Sequence, residues 1–133
     1  MPRSPTDPRH EVGTAIAFTS SHAMAGVEGP EGILHEHDYR VEVVVGRSDL
    51  DESGMVCDLD VLGAALDRLR DQVEGRDLEV IRPPEAGSVT VEVFAEWAHG
   101  YLARSLAGTD ADFLSVRVWE SDHAFGGFRD RLR

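Results

Sequence analysis

The sequence has one cysteine, no lysine among its 13 basic residues, and no apolar run of about 18 residues that could cross a membrane. A single cysteine, Cys57, cannot form an internal disulfide, which makes a cytoplasmic location the default expectation. The 25 acidic residues give a formal net charge of −12, so the basic face that nucleic-acid binding requires is missing. We therefore expect a protein that binds neither nucleic acid nor membranes and that has only arginines to hold a phosphorylated ligand.

The length and composition fit one domain. Of the 133 residues, 41% are hydrophobic and 29% charged, so the chain can bury a modest core. Residues 1–11 are polar, contain three prolines and lack the apolar stretch of a secretory signal. This segment predicts a disordered leader, followed by a single domain over residues 12–133.

Alternating apolar residues predict two long strands. In residues 13–22, Ile16 and Phe18 share their parity with His22, and in residues 35–47 the odd positions hold two histidines, a tyrosine and three valines. Such alternation is typical of strands with one buried face. The connecting segment, AMAGVEGPEGI, contains three glycines and a proline and is expected to be a loop.

Two helices and two further strands are predicted after these. Leucines recur at three- and four-residue steps behind Asp58, a residue type that caps helix N-termini well. A Pro-Pro pair then interrupts the chain, and a second helix is expected from near Ser88 to about Gly108. Alternation predicts a strand over residues 112–120 and a short last strand over residues 125–131.

The resulting order is strand, strand, helix, helix, strand, strand. This order differs from the repeated strand–helix alternation of a parallel sheet and predicts the α+β class, with both helices on one face of an antiparallel sheet. Because so small a sheet leaves its edges open, we expect closure through a homo-oligomer.

Three histidines form the best candidate for a metal site. His35 and His37 are two residues apart on a strand, so their side chains leave the same face, and antiparallel pairing would bring His22 alongside them. Three imidazoles with one open coordination position are typical of catalytic zinc, at which a bound oxygen loses its proton more readily. The alternative is a surface H-x-H pair without any metal. For His10 and His99, solvated or core-edge roles are expected.

Five segments in order carry a resemblance to a known family. FTSSH and HEHDY are similar to its F-x-(A/S)-x-H and H-G-H-x-Y motifs, and GMVCDLDVL to the segment that opens its first helix. VTVEVFAEW matches P-T-x-E-(N/V)-x-A-x-W through Thr90 and Glu92, and VRVWES matches V-x-V-x-E-(T/S) through Glu120. Over about residues 15–128 the sequence thus resembles the 6-pyruvoyl- and 6-carboxytetrahydropterin synthases.

The resemblance implies the tunnelling fold, a four-stranded antiparallel sheet backed by two helices, assembled into trimers or hexamers. It implies zinc bound by His22, His35 and His37, and 7,8-dihydroneopterin triphosphate as the substrate whose side chain is cleaved or loses triphosphate. It also implies that Glu120 anchors the pterin ring by a two-point contact, and that Thr90 and Glu92 belong to the substrate site. The other interpretation of Glu120 is a solvated acid at a strand end.

The sequence departs from the family at its catalytic residues. Where the family has its catalytic cysteine, four residues before the H-x-H pair, this chain has Glu31, as does a branch that produces 6-hydroxymethyldihydropterin. Where the family has a catalytic Asp-His pair, this chain has Glu74 and Gly75. The expected base is therefore Glu31, and His123, in ESDHAF, is a further candidate for proton transfer, the alternative being a solvated loop histidine.

Two hypotheses follow from the sequence. The first is a zinc-dependent, pterin-synthase-like lyase that uses Glu31. The second is a zinc- and pterin-binding oligomer that has lost synthase activity. Both retain the three histidines, so turnover of a dihydroneopterin compound would distinguish them.

Overall fold

Four antiparallel strands and two helices make up the computed structural model, which describes residues 8–132. The strands are β1 (His10–His22), β2 (His35–Arg47), β3 (Phe113–Trp119) and β4 (Phe125–Arg131), and the helices are α1 (Leu59–Val73) and α2 (Val91–Ser105). Short 3-10 helices lie at Pro30–Gly32 and Leu78–Ile81. The predicted order of two strands, two helices and two strands is confirmed.

The strands are ordered β1-β2-β3-β4 in the sheet, and each neighbouring pair is antiparallel. His22 pairs with His35 at one end of the sheet, and Val43 of β2 pairs with Val116 of β3 further along. Because side chains alternate between the two faces, this register places the histidines on the same face as the valines of β2.

Both helices cover that face and form the core with it. The apolar stripe of α1 includes Leu62, Leu66 and Leu69, all of which are fully buried, and α2 contributes Phe94 and Leu102. Each such side chain stabilises the fold by about 1.5–3 kcal/mol relative to an exposed one. The opposite face of the sheet carries mostly polar and charged residues.

The helix starts depend on their caps. Asp58 caps α1 as predicted, its carboxylate accepting the N–H of Asp60 at 2.8 Å. Helix α2 begins at Val91, three residues after Ser88, near which its start was predicted, and Ser88 Oγ instead accepts the N–H of Ala25 at 2.8 Å, in the β1–β2 loop. Thr90 is the cap, accepting the N–H of Val93 at 3.1 Å, and the helix ends at Ser105.

The first strand is longer than the sequence indicated. His10 pairs with Arg47, so His10 and Glu11, which the sequence assigned to the leader, belong to β1, while residues 1–7 of that leader lie outside the described residues. His99 is buried, and its Nε2 lies 3.2 Å from the carbonyl oxygen of Leu114. Within residues 8–132, neither helix has the length and hydropathy needed to span a membrane.

Candidate metal centre

The three candidate histidines meet at one end of the helix-covered sheet face. His22 ends β1 opposite His35 at the start of β2, and His37 follows on the same face. The ring centroids are 4.5 Å apart for His22 and His35, 5.1 Å for His22 and His37, and 4.8 Å for His35 and His37. The antiparallel pairing inferred from the alternation therefore brings three imidazoles to a single point.

Backbone carbonyls orient two of these rings. His22 Nδ1 lies 3.0 Å from the carbonyl oxygen of Val89, and His35 Nδ1 lies 2.7 Å from that of Ile33. Since a carbonyl oxygen only accepts hydrogen bonds, each Nδ1 must be the protonated nitrogen. In the neutral rings, the Nε2 lone pairs then point at the common centre, which is the orientation that metal-binding histidines usually receive.

One of the inner nitrogens lacks a hydrogen-bond partner within the part of the chain that the structure describes. His22 Nε2 is buried and has no hydrogen-bond partner, and the Nε2 atoms of His35 and His37 face each other at 3.0 Å. Buried polar atoms are nearly always satisfied, so an orphaned nitrogen requires a reason. A metal ion bound by the three Nε2 atoms fits this donor set.

Glu31 completes a group of four donors. One ligand atom from each of His22, Glu31, His35 and His37 lies within 4.8 Å of the others. Glu31 Oε2 is 3.3 Å from His35 Nε2. The sequence placed Glu31 near the histidines, and in the structure its carboxylate lies directly beside them.

The β1–β2 loop holds Glu31 in this position through its backbone. The Glu31 carbonyl accepts the N–H of Met24 at 2.8 Å, which ties the two sides of the loop together. A Cβ atom at Gly32 would overlap the carbonyl oxygen of Val27, so only glycine permits this approach. The side chain of Glu31 itself is 59% exposed.

Tyr39 is a site residue that sequence reasoning missed. Its ring centroid is 5.6 Å from that of His37, and its hydroxyl is buried without a hydrogen-bond partner. Burial, and then repulsion from the carboxylates of Glu120 and Glu31, raises the pKa of Tyr39 above its usual range, so the hydroxyl stays neutral. The sequence feature that could have identified it is its odd-numbered position in β2, which puts it on the same face as His35 and His37.

Glu120 lies on the same side of the sheet end. It follows β3 immediately and is half-buried. It lines a cavity of about 510 Å³ with His37, but most of that lining, including Asp38, Arg40 and Trp119, comes from the turn and the polar face of the sheet. Its N–H donates to the carbonyl oxygen of Ala124 at 3.1 Å, which fixes the start of the β3–β4 turn. Its carboxylate is one of the two that raise the pKa of Tyr39.

The other predicted site residues lie outside the four-donor group. Thr90 uses its hydroxyl to cap α2, and Glu92 is exposed on the first turn of that helix. His123 is exposed in the β3–β4 turn, where its N–H donates to Ser121 Oγ at 3.2 Å. Cys57 is buried, which raises the pKa of its thiol, as does the nearby Asp58 carboxylate.

The backbone conformation after α1 favours glycine at the position where the family has the histidine of its Asp-His pair. Glu74 follows the end of α1, and Gly75 has a φ of 70°, in the left-handed region that favours glycine. The N–H of Gly75 donates to the carbonyl oxygen of Thr19 at 2.7 Å, which fixes the turn against β1. A histidine at this position would be strained in the observed backbone.

A family model for 6-pyruvoyl tetrahydropterin synthase matches residues 11–130. The Plasmodium falciparum synthase has a similar structure, with a TM-score of 0.76 at 14% identity over 94% of this chain and 99% of that chain. A catalytic-residue mutant of the Plasmodium vivax synthase, with alanine for a glutamate, has a TM-score of 0.73 at 14% identity (92% and 99% covered). The Caenorhabditis elegans synthase gives 0.67 at 18% identity (92% and 94%). No curated protein matches the sequence. At such identities, structural likeness shows the tunnelling fold.

Proposed function

This chain belongs to the 6-pyruvoyl tetrahydropterin synthase family, and we propose that it is a zinc-dependent lyase acting on 7,8-dihydroneopterin triphosphate or a related pterin. The observation that carries this proposal is the convergence of His22, His35, His37 and Glu31. We place the protein in the cytoplasm.

His22, His35 and His37 are the proposed zinc ligands. Zinc accepts neutral imidazole nitrogens at about 2.0–2.1 Å, and two of the three rings have Nδ1 engaged by carbonyl oxygens, which leaves Nε2 for the metal. When bound, the zinc would supply Lewis-acid stabilisation of negative charge on a side-chain oxygen of the substrate.

Glu31 is the proposed general base. It would remove the proton from the hydroxyl on C2′ of the dihydroneopterin side chain, after which the C1′–C2′ bond breaks. The electron pair passes to C1′, which is conjugated with the pterin ring and then takes up a proton. The products are 6-hydroxymethyl-7,8-dihydropterin and a two-carbon aldehyde that retains any phosphate. The catalytic glutamate of the Plasmodium vivax synthase supports a carboxylate in this role.

Glu120 and Tyr39 would position the pterin. A carboxylate can accept two parallel N–H groups from the ring, and Glu120 borders the cavity beside His37. The Tyr39 hydroxyl is neutral and unpartnered, so it can donate a hydrogen bond to a substrate oxygen.

Turnover of dihydroneopterin and its triphosphate, followed by chromatography of the products, tests the proposal. Glu31→Gln should lower kcat by about 10²–10⁴-fold, because the amide keeps the shape of the carboxylate but cannot take a proton. Glu28→Gln removes an exposed carboxylate from the same loop and should retain wild-type kcat. Full activity of Glu31→Gln would reject Glu31 as the base and make His123 the next candidate.

A zinc- and pterin-binding protein without synthase activity is the second candidate. The left-handed Gly75, at the position of the family's catalytic Asp-His pair, favours it. Wild-type protein that binds zinc and a pterin stoichiometrically, and yet releases no product from either dihydroneopterin compound, would establish this alternative.

We also propose that the protein is a homo-oligomer, a trimer or a hexamer. β1 and β4 are the edge strands of the sheet, and β1 is 13 residues long. Residues 75–77 cover the end of this edge near Thr19 and Ser21, and the rest of it offers N–H and C=O groups to another chain. Light scattering at micromolar concentration should give a mass of three or six chains, and a monomer would contradict the proposal.

A further inference from the structure

Two separations between donor atoms of the candidate metal centre are close to those of a tetrahedral site. A tetrahedral zinc site with bonds of about 2.0–2.2 Å has donor–donor separations of about 3.3–3.6 Å. The observed separation from Glu31 Oε2 to His35 Nε2 is 3.3 Å, and that from His35 Nε2 to His37 Nε2 is 3.0 Å. The carboxylate of Glu31 therefore lies about as close to His35 Nε2 as His37 Nε2 does, and all four donor atoms lie within 4.8 Å of one another.

Hydrogen bonding within the cluster explains only part of this arrangement, because a bond between the Nε2 atoms of His35 and His37 leaves His22 Nε2 and the Glu31 carboxylate unaccounted for. His35 Nδ1 donates to the carbonyl oxygen of Ile33, so the Nε2 of the neutral ring presents a lone pair to the Glu31 carboxylate. A lone pair and a carboxylate oxygen repel each other unless a positive charge lies between them. A proton on His35 Nε2 would relieve that repulsion but would leave the buried His22 Nε2 without a partner. A divalent cation satisfies all four donors at once.

From this geometry we infer that Glu31 is the fourth ligand of the metal in the substrate-free protein. The sequence predicted three protein ligands and an open position, which is the usual form of a catalytic zinc site. With Glu31 bound, the site is instead closed by protein donors until a substrate arrives. The inference rests on the proposed function in one respect, since that function makes the same carboxylate the base.

The two roles of Glu31 exclude each other in time, because a carboxylate that is bound to the metal has a weaker affinity for protons. Release of Glu31 must then accompany substrate binding, and its surroundings permit this. It lies in a three-residue 3-10 helix without a side-chain cap, and its side chain is mostly exposed. The neighbouring Ile33 and Leu34 are exposed as well.

Zinc affinity measured by competition with a chromophoric chelator tests the inference without using activity. Compared with wild type, Glu31→Gln should bind zinc at least about tenfold more weakly, since even supporting groups around a metal contribute about 10–100-fold. Glu28→Gln serves as the matched control, because it removes the same charge from an exposed position in the same loop and should retain wild-type affinity.

Cobalt substitution provides a second measurement that does not depend on affinity. The visible spectrum of bound Co²⁺ reports the number and type of its ligands, so Glu31→Gln should differ from wild type while Glu28→Gln should not. Equal zinc affinity and equal cobalt spectra for Glu31→Gln and wild type would overturn the inference. An equal loss of affinity in both variants would overturn it too, because it would indicate a general effect of charge.

These outcomes are distinguishable from failure of the proposed function. If wild type turns over a dihydroneopterin compound and Glu31→Gln retains its zinc affinity and cobalt spectrum, only the fourth-ligand assignment fails. If wild type binds metal through Glu31 and turns over no pterin, the assignment stands and the lyase proposal fails. If wild type binds no stoichiometric metal, both are rejected.

Discussion

The two ends of the helix-covered sheet face differ in what they bury. The valine end, formed by Val41, Val43 and Val45 of β2 with their neighbours on β3, contains fully buried apolar side chains. The histidine end, formed by His22, His35, His37 and Tyr39, contains a buried nitrogen and a buried hydroxyl with no hydrogen-bond partner. The same two strands thus supply an apolar core at one end and unsatisfied polar atoms at the other.

Along β2, the residues that stabilise the fold are therefore different from those proposed to bind metal and ligand. An unpartnered buried polar group costs about 1–3 kcal/mol, whereas each large buried apolar side chain contributes about 1.5–3 kcal/mol. The valine end and the leucines of α1 can therefore offset the cost of the histidine end. We expect substitutions at the histidine end to affect metal and ligand binding, and those at the valine end to affect stability.

The largest expected effect is the loss of metal from His35→Ala/His37→Ala. Removing two of the three proposed imidazole ligands should reduce the metal content from about one ion per chain to none, as measured by elemental analysis of protein purified without chelator. Leu114→Ala, at the valine end, is the control. It should retain the metal but lower the free energy of unfolding by about 2–5 kcal/mol. Wild-type metal content in the double variant would show that the two regions do not differ in metal binding.

What the sequence predicts also differs between the valine end and the histidine end. Alternation with a period of two identified β2 and its buried face, because the valines of that face and the histidines all occupy odd positions along the strand. The same alternation led to His22, His35 and His37 as the proposed metal ligands. It did not indicate that the hydroxyl of Tyr39 would be unpartnered, because that depends on which groups α2 and the β3–β4 turn bring near it.

The caps and loops were less predictable than the strands. Asp58 was identified as a cap from its residue type, but Ser88 and Thr90 are both good caps, and only a tertiary contact with Ala25 distinguishes them. The position of Glu31 beside His35 was expected from the resemblance, whereas its close approach depends on Gly32 and the tie to Met24. His123 could not be located from sequence, because its turn could have folded toward or away from the site.

An intermediate effect is expected for Glu120→Gln. The amide replaces one oxygen of the proposed two-point contact by an N–H₂ group, which faces a ring donor instead of accepting from it. Pterin binding, followed by fluorescence titration, should weaken by about 10–100-fold, the equivalent of a charged hydrogen bond worth about 1.5–3 kcal/mol. Zinc content should not change. Unaltered pterin affinity would instead assign Glu120 to the solvated strand end.

The smallest expected effect, on stability, comes from Tyr39→Phe. Removing a buried hydroxyl that has no partner should raise the free energy of unfolding of the metal-free protein by about 1 kcal/mol at pH 7, measured by urea denaturation. This would make the histidine end resemble the valine end. A loss of stability would show that the hydroxyl is hydrogen-bonded in solution. The histidine end would then contain one unsatisfied polar group fewer.

The pH dependence of Tyr39→Phe provides an independent check. Burial raises the pKa of Tyr39 in the folded chain above the value of about 10 of an unfolded tyrosine. A raised pKa means that the unfolded state releases this proton first, so wild type loses stability as the pH rises through about 10 toward the folded-state pKa. Tyr39→Phe has no ionisable hydroxyl at this position, so its stability advantage over wild type should be constant from pH 7 to about pH 9 and should increase above about pH 10. An advantage that stays constant at alkaline pH would mean that the tyrosine ionises equally readily in both states, and therefore that solvent reaches its hydroxyl.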